Sequence, residues 1–161
     1  VLPAPRPDMS VALARILVDE VLGKEFVNPP PVDLASERRN GDFVRSLIEA
    51  GLVRVCHDVS DGGLLVAVAE MALAGQIGAT IDVPKDADPV AWLFGEDQGR
   101  YVLALADPQA VLDRGTAAGV PATIIGQTGG SALTVNGHGH ISLDSLIATH
   151  EAWLPCYMAS T

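Results

Sequence analysis

The sequence predicts an α/β or α+β domain around one mixed sheet, and three observations carry that expectation. Helical and β-prone stretches alternate along the chain, as they do where helices pack on a sheet. Of 161 residues, 48% are hydrophobic, mostly aliphatic and Ala, while aromatics supply only 4%. A single domain of this size buries on the order of 70% of its unfolded surface, so disorder is not expected.

The elements follow in order. Asp8 can cap a first helix with Val11, Leu13, Ile16, Leu17, Val21 and Leu22 at helical spacing, stopped by Gly23. Asn28-Pro29-Pro30-Pro31 reads as an extended crossing, since proline removes helical donors. Asp33 or Ser36 starts a second helix that runs past Asn40-Gly41 to Ala50, with Gly51 ending it and Phe43, Val44, Leu47 and Ile48 buried. Leu52 to Cys56 is β-prone. Leu64 to Ala74 is a strongly apolar, buried helix stopped by Gly75.

Ala79 to Val83 alternates like a strand that Pro84 closes, and Pro89 opens a short helix through Leu93. Arg100 to Ala106 is a strand, and Asp107-Pro108 starts a helix to about Ala118. Ala122 to Ile125 and Ala132 to Val135 are strands, joined by a tight turn at Gly126 to Gly130. Ser142 caps a last helix through about Ala152, after which Trp153 to Thr161 docks or frays.

Charge narrows the function. Asp and Glu number 20 against 10 Lys and Arg, a formal net of −10, which disfavours nucleic acid and anionic membrane. No apolar run approaches the roughly 18 residues of a membrane span. Cys56 and Cys156 form no CxxC pattern and read as two structural thiols of a reducing compartment, so cytoplasm is expected. The opening Val-Leu-Pro-Ala-Pro-Arg-Pro reads as a linker remnant over residues 1–7, ahead of a single domain of a longer chain.

The segment His57-Asp58-Val59-Ser60-Asp61-Gly62-Gly63-Leu64 is the strongest motif. A strand, a polar turn and two glycines lead into a helix, a geometry that leaves free N–H groups at a helix N-terminus. Two readings stand side by side. In one, Asp61 or Ser60 caps the helix and Asp58 braces the turn. In the other, Asp58 and Asp61 offer hard oxygens to Mg²⁺, whose shell needs phosphates for completion. A hydrolase triad of His57, Ser60 and Asp61 lacks the Gly-x-Ser-x-Gly elbow.

Glu96 and Gln98, in Phe94-Gly95-Glu96-Asp97-Gln98-Gly99-Arg100-Tyr101, can face a ligand; otherwise Arg100 neutralises Glu96 or Asp97 in a surface turn. Gly126-x-x-Gly129-Gly130 lacks a following helix and reads as a hairpin turn. His138-Gly139-His140 reads as a surface loop, and His150 and Trp153 as packing residues.

These residues carry a resemblance. The His57 to Leu64 string, with Ala69-Glu70-Met71-Ala72 and Gly78-Ala79, closely resembles the C-terminal domain of the aminoimidazole ribonucleotide synthetase superfamily. Pro30 to Leu34, Arg39 to Val44, Phe94 to Tyr101 and His150-Glu151-Ala152-Trp153-Leu154-Pro155 are similar to the phosphoribosylformylglycinamidine synthase family, at the end of its large synthetase subunit. The resemblance implies a three-layer α/β/α arrangement with a mixed sheet and partial ferredoxin-like topology. It implies part of an ATP-dependent ligase that converts formylglycinamide ribonucleotide to the amidine, a fragment inactive alone.

Mg²⁺ and ATP are then cofactors of the full-length enzyme, with none implied with certainty for this domain. The implied partners are the remaining synthetase domains, a glutaminase subunit and a small bridging subunit. Asp58, Ser60, Asp61, Gly62 and Gly63 become candidate cofactor residues, with Asp58 and Asp61 toward metal. Glu96, Asp97 and Gln98 match a Gly-Glu-Ser-Gln segment that contacts the ribonucleotide in the family's first C-terminal copy. Asp97 stands where that copy has Ser, and a carboxylate beside a phosphate monoester is repelled. This fits a likeness to the second, non-catalytic copy. Alternative readings are a structural or nucleotide-sensing module, or the C-terminal domain of aminoimidazole ribonucleotide or selenophosphate synthetase.

Overall fold

The computed structural model describes residues 32–159. The expected linker at 1–7, the helix from Asp8 and the Asn28–Pro31 crossing lie outside the described residues. Two compact units divide the remainder: 32–68 with 84–124, and 69–83 with 125–159. The α/β class with a mixed sheet holds.

The first unit opens with helix α1, Leu34–Glu49, capped by Asp33. One Asp33 oxygen accepts the Ala35 and Ser36 N–H groups at 3.1 Å, and the other takes the Ser36 hydroxyl at 2.6 Å. The Ser36 hydroxyl, with these N–H groups, holds the carboxyl below its ordinary range. Asn40, Phe43, Val44 and Leu47 form the buried stripe at helical spacing. Ile48, expected inside, lies at the edge of that stripe and is 49% exposed.

Gly51, at φ 70°, turns the chain out of α1, and Leu52 N–H returns to the Leu47 carbonyl at 3.0 Å. Val53 N–H points to the same carbonyl. Residues 52 and 53 are thereby spent on closing the helix, so strand β1 is Val55–Asp58 and not Leu52 to Cys56. It pairs antiparallel with β3, Tyr101–Ala104, from Val55 opposite Ala104 to Asp58 opposite Tyr101. Four residues on β1 leave only four to pair on β3, shorter than the expected 100–106.

Helix α2 spans Gly63–Gly75, with Leu64, Ala67, Val68 and Ala72 buried as its apolar composition requires. Helix α3, Pro89–Phe94, is capped by Asp88, whose oxygen accepts Ala91 N–H at 2.9 Å, and it buries Trp92 and Leu93. Helix α4, Pro108–Ala118, is capped by Asp107 and ended by left-handed Gly119. Phe43, Leu47, Val53, Val111 and Val120 make a core joined by Leu103 and Leu105. Each such side chain contributes roughly 1.5–3 kcal/mol when fully buried.

The second unit is a four-stranded mixed sheet in the order β4-β2-β5-β6. Its strands are β2 (Ala79–Ile81), β4 (Gly126–Thr128), β5 (Ala132–Val135) and β6 (Gly139–Ser142). β2 is antiparallel to β4 and parallel to β5, and β5 is antiparallel to β6. Ala79, Ile81, Leu133 and Val135 alternate inward.

Several expectations fail here for physical reasons. The strand forms at Gly126–Thr128, where a turn was expected, and not at Ala122–Ile125. A Cβ at Gly126 would lie 1.9 Å from the Thr80 carbonyl oxygen, so only glycine lets this backbone reach β2. β4 and β5 are not a hairpin, since β2 runs between them. The hairpin is β5–β6, turning at Asn136-Gly137-His138 with Gly137 at φ 79°, and His140 sits on β6.

Ser142 Oγ accepts Ser145 N–H at 3.1 Å, as a cap should, but helix α5 runs Leu143–Ala159 and passes through Pro155. Trp153, expected to pack, is 67% exposed. Both cysteines are free and exposed. None of the described helices is long and apolar enough to cross a membrane.

Gly126→Ala should destabilise the chain by on the order of 3 kcal/mol in urea unfolding, through loss of the β2–β4 pairing. Gly139→Ala, where an added Cβ meets nothing within 4 Å, should stay within about 0.5 kcal/mol.

Candidate functional site

Strand β1 delivers His57 and Asp58 to the start of the glycine motif. Val59 is buried, and its N–H donates to the Arg100 carbonyl at 2.8 Å, which locks the turn to the start of β3. Ser60 and Asp61 are exposed, and the Ser60 carbonyl accepts Gly63 N–H at 3.0 Å. Gly62 and Gly63 take φ values of 82° and 76°, which side chains rarely adopt. Gly63 has a second reason to be glycine: a Cβ would lie 2.5 Å from the Phe94 carbonyl carbon. The two loops touch backbone to backbone.

The carboxylate that meets the start of α2 comes from neither Asp61 nor Ser60, the expected caps. Glu96 Oε1 accepts Gly62 N–H at 2.8 Å across 34 positions of sequence. Sequence cannot anticipate a cap delivered by another loop. The half-buried Glu96 carboxylate therefore stands where an anion would meet these amides.

Asp97 and Arg100 are also not the surface pair that was one expectation. They are 8% and 1% exposed. Arg100 Nη1 donates to the Gly95 carbonyl at 3.2 Å. Burial pushes the guanidinium below its ordinary value, and the Asp97 charge opposes that push. Among the described residues, Arg100 Nε and Nη2 have no hydrogen-bond partner. Gln98 is exposed.

Three residues that the sequence reading left without a role position this segment. Asn40 Nδ2 donates to the Gly99 carbonyl at 3.1 Å. Gly99, at φ 69°, admits the Glu37 Cα within 2.9 Å of its would-be Cβ, and Gly41 admits the Tyr101 hydroxyl at 3.2 Å. The glycines in Asn40-Gly41 and Gly99-Arg100-Tyr101 were the available signal, and they mark close approach. A depression of about 500 Å³ over α1 is lined by Leu34, Glu37, Arg38, Gly41, Asp42, Arg45 and Tyr101. It contains none of the candidate residues.

The chemistry available here is limited. His57 Nδ1 lies 2.6 Å from the Asp58 carbonyl oxygen and 3.7 Å from Asp58 Oδ1, so that nitrogen serves the turn. Among the described residues, no three His, Cys, Asp or Glu side chains converge as a metal site. Exposed Asp58 and Asp61 supply two hard oxygens, too few for a Mg²⁺ shell unless phosphates or waters complete it. Asp58, Asp61 and Glu96 also make the region repel phosphate by itself.

A β-ribbon locked to a glycine turn, a helix start capped across the fold and a mixed sheet define a domain of the synthetase C-terminal class. The chain belongs to the family described as AIR synthase related protein, C-terminal domain, which matches residues 9–136. It is 53% identical over 147 residues to the phosphoribosylformylglycinamidine synthase subunit PurL of Caulobacter vibrioides, covering 91% of this chain and 20% of the relative. The chain thus spans about a fifth of the length of the curated relatives it matches. Its fold is similar to T. maritima PurL complexed with FGAR, at TM-score 0.67 and 16% identity, covering 91% of this chain and 29% of that one. It is also similar to PurLQS from Thermotoga maritima, at TM-score 0.61 and 18% identity, covering 81% of this chain and 24% of that one.

Glu96→Ala should lower stability by about 1–2 kcal/mol in urea unfolding, because Gly62 N–H loses its partner in a half-buried place, and Glu96→Gln should lose less. Cys56 gives a pH test. Partial burial, then the Asp58 charge, pushes its thiol above the ordinary 9.0. Its stabilising contribution is complete below pH 9.0 and is lost as pH rises through the higher folded value. At pH 8, Cys56 should alkylate several-fold more slowly in the folded chain than in urea, read by peptide mass spectrometry.

Proposed function

We propose that this chain works as the C-terminal domain of an ATP-dependent, amidine-forming ligase of purine biosynthesis. The reaction converts formylglycinamide ribonucleotide to formylglycinamidine ribonucleotide. The observation that carries the reading is 53% identity across 91% of the chain to a PurL relative. In that chemistry ATP phosphorylates the amide oxygen, and ammonia displaces the phosphate. The isolated domain is inactive, since it spans a fifth of its relatives and its motif holds no nucleophile paired with a base.

Within the long enzyme, Asp58, Ser60, Asp61, Gly62 and Gly63 face the cofactor side, and Asp58 and Asp61 turn toward Mg²⁺ only where nucleotide phosphates complete its shell. Glu96, Asp97 and Gln98 occupy the substrate-side segment. What these side chains do themselves is positional: Glu96 fixes the amide end of α2, and the Asp97–Arg100 pair holds the loop that carries Glu96. The remaining synthetase domains supply positive potential, a glutaminase subunit supplies ammonia, and a small subunit bridges them in the cytoplasm. The name PurLQS of the Thermotoga maritima neighbour is consistent with such an assembly.

A second reading, a purely structural module, is favoured by Glu96 and Asp97 being engaged inside the fold. With Mg²⁺-ADP the isolated chain should show no rise in Tm, and a clear rise would favour a residual nucleotide site. Supplied with ATP, Mg²⁺, ammonia and the formyl substrate, it should make no amidine; turnover would overturn the claim that the domain is incomplete.

A further inference from the structure

The apolar stripe of α5 changes character along its length. Leu143 is buried, and Leu146 and Ile147 are half-buried. On the same helical face, about two and three turns further on, Trp153, Leu154, Tyr157 and Met158 are 67%, 57%, 55% and 64% exposed. The Trp153 and Tyr157 rings are parallel within 5° at 5.5 Å, forming a flat aromatic platform. Residues 152–159 carry no charged side chain. Contiguous exposed apolar surface of this kind marks an interaction site.

The general domain family stops at residue 136, before α5. Twenty-five residues follow 136, more than the fourteen that the Caulobacter vibrioides relative leaves uncovered, so its match enters α5. The likeness to the long synthetase therefore reaches at least the first turn of α5, beyond the common domain, and four-fifths of such a polypeptide lies outside this chain. A net charge of −10 opposes both a second copy and an anionic membrane as occupant.

Resting on the reading that this is one domain of a long synthetase, we propose that the Trp153–Met158 face of α5 docks into an apolar groove on the remainder of that polypeptide. Trp153 and Tyr157 are the anchors, as large aromatics are at most interfaces.

The test is hydrogen exchange by mass spectrometry on the isolated chain and on the Caulobacter vibrioides subunit carrying this chain in place of its matching segment. Peptides over 152–159 should exchange at least about tenfold more slowly in the long protein, since local opening there must now break an interface. The α1 peptide around Phe43–Leu47 reports that the domain is folded in both. Trp153→Glu with Tyr157→Glu should remove the protection and leave α1 unchanged. Equal exchange in the two proteins, or protection that survives the double substitution, overturns the proposal. So does protection of the isolated chain that grows with its concentration, because the occupant is then a second copy. If the chimera does not fold, the chain is added in trans to the relative trimmed of that segment, and failure to slow exchange overturns the proposal equally. Amidine formation by the chimera is read separately: protection without activity upholds docking and sinks the ligase reading, and activity without protection does the reverse.

Discussion

The buried guanidinium of Arg100 is the constraint around which the first unit is arranged. At 1% exposure it has left water almost completely, at a penalty of several kcal/mol that only charge and hydrogen bonds can offset. Asp97 opposes the charge, and the Gly95 carbonyl takes one N–H. Both come from the loop that Arg100 itself closes, so the loop must curl around its own cation. The Arg100 carbonyl meanwhile takes Val59 N–H, and the next residue opens β3. One residue thus fixes the loop, the glycine turn and the strand register. Arg is suited to this because its delocalised guanidinium is more weakly hydrated than an ammonium and so costs less to bury.

That arrangement explains why so many contacts are made by glycine. Gly63 lies against Phe94, Gly99 against Glu37, and Gly41 against the Tyr101 hydroxyl. Each removes a side chain at a place where two elements must come closer than a Cβ permits. The candidate site consists of backbone held against backbone, with Glu96 crossing to the amide end of α2. Glu96 and Asp97 are committed to holding it together, while Asp58 and Asp61 stay exposed.

These facts mark what the sequence could disclose. Caps at Asp33 and Asp107, and the helices they start, were legible because a carboxylate two or three positions ahead of an N–H is a local event, and Pro89 marked the short helix that Asp88 caps. So was the alternating β5. The displaced strands were not: β1 shifted because residues 52 and 53 were drawn into the α1 C-cap, and β4 formed where Gly126 tolerates the Thr80 carbonyl. Both depend on partners distant in sequence. The His57 to Leu64 motif is plain in the sequence, yet its cap comes from Glu96, and the surface pair expected of Arg100 with Glu96 or Asp97 gives way to an interior Arg100 beside Asp97. Local pattern located the site but could not assign its contacts.

The charge pattern then decides what the domain can do without help. Asp58 and Asp61 are exposed carboxylates, half-buried Glu96 is a third, and Arg100 is sealed inside. A phosphate approaching this surface meets repulsion from three sides and amides already taken. Positive potential must come from a metal, from another domain, or from both. On the ligase reading proposed above, this acidic motif is half of a site. The same logic applies to α5, whose charge-free aromatic end is poorly solvated by water. In the proposed ligase, the larger polypeptide supplies the counter-charge to this domain's polar loops and the apolar cover to its last helix.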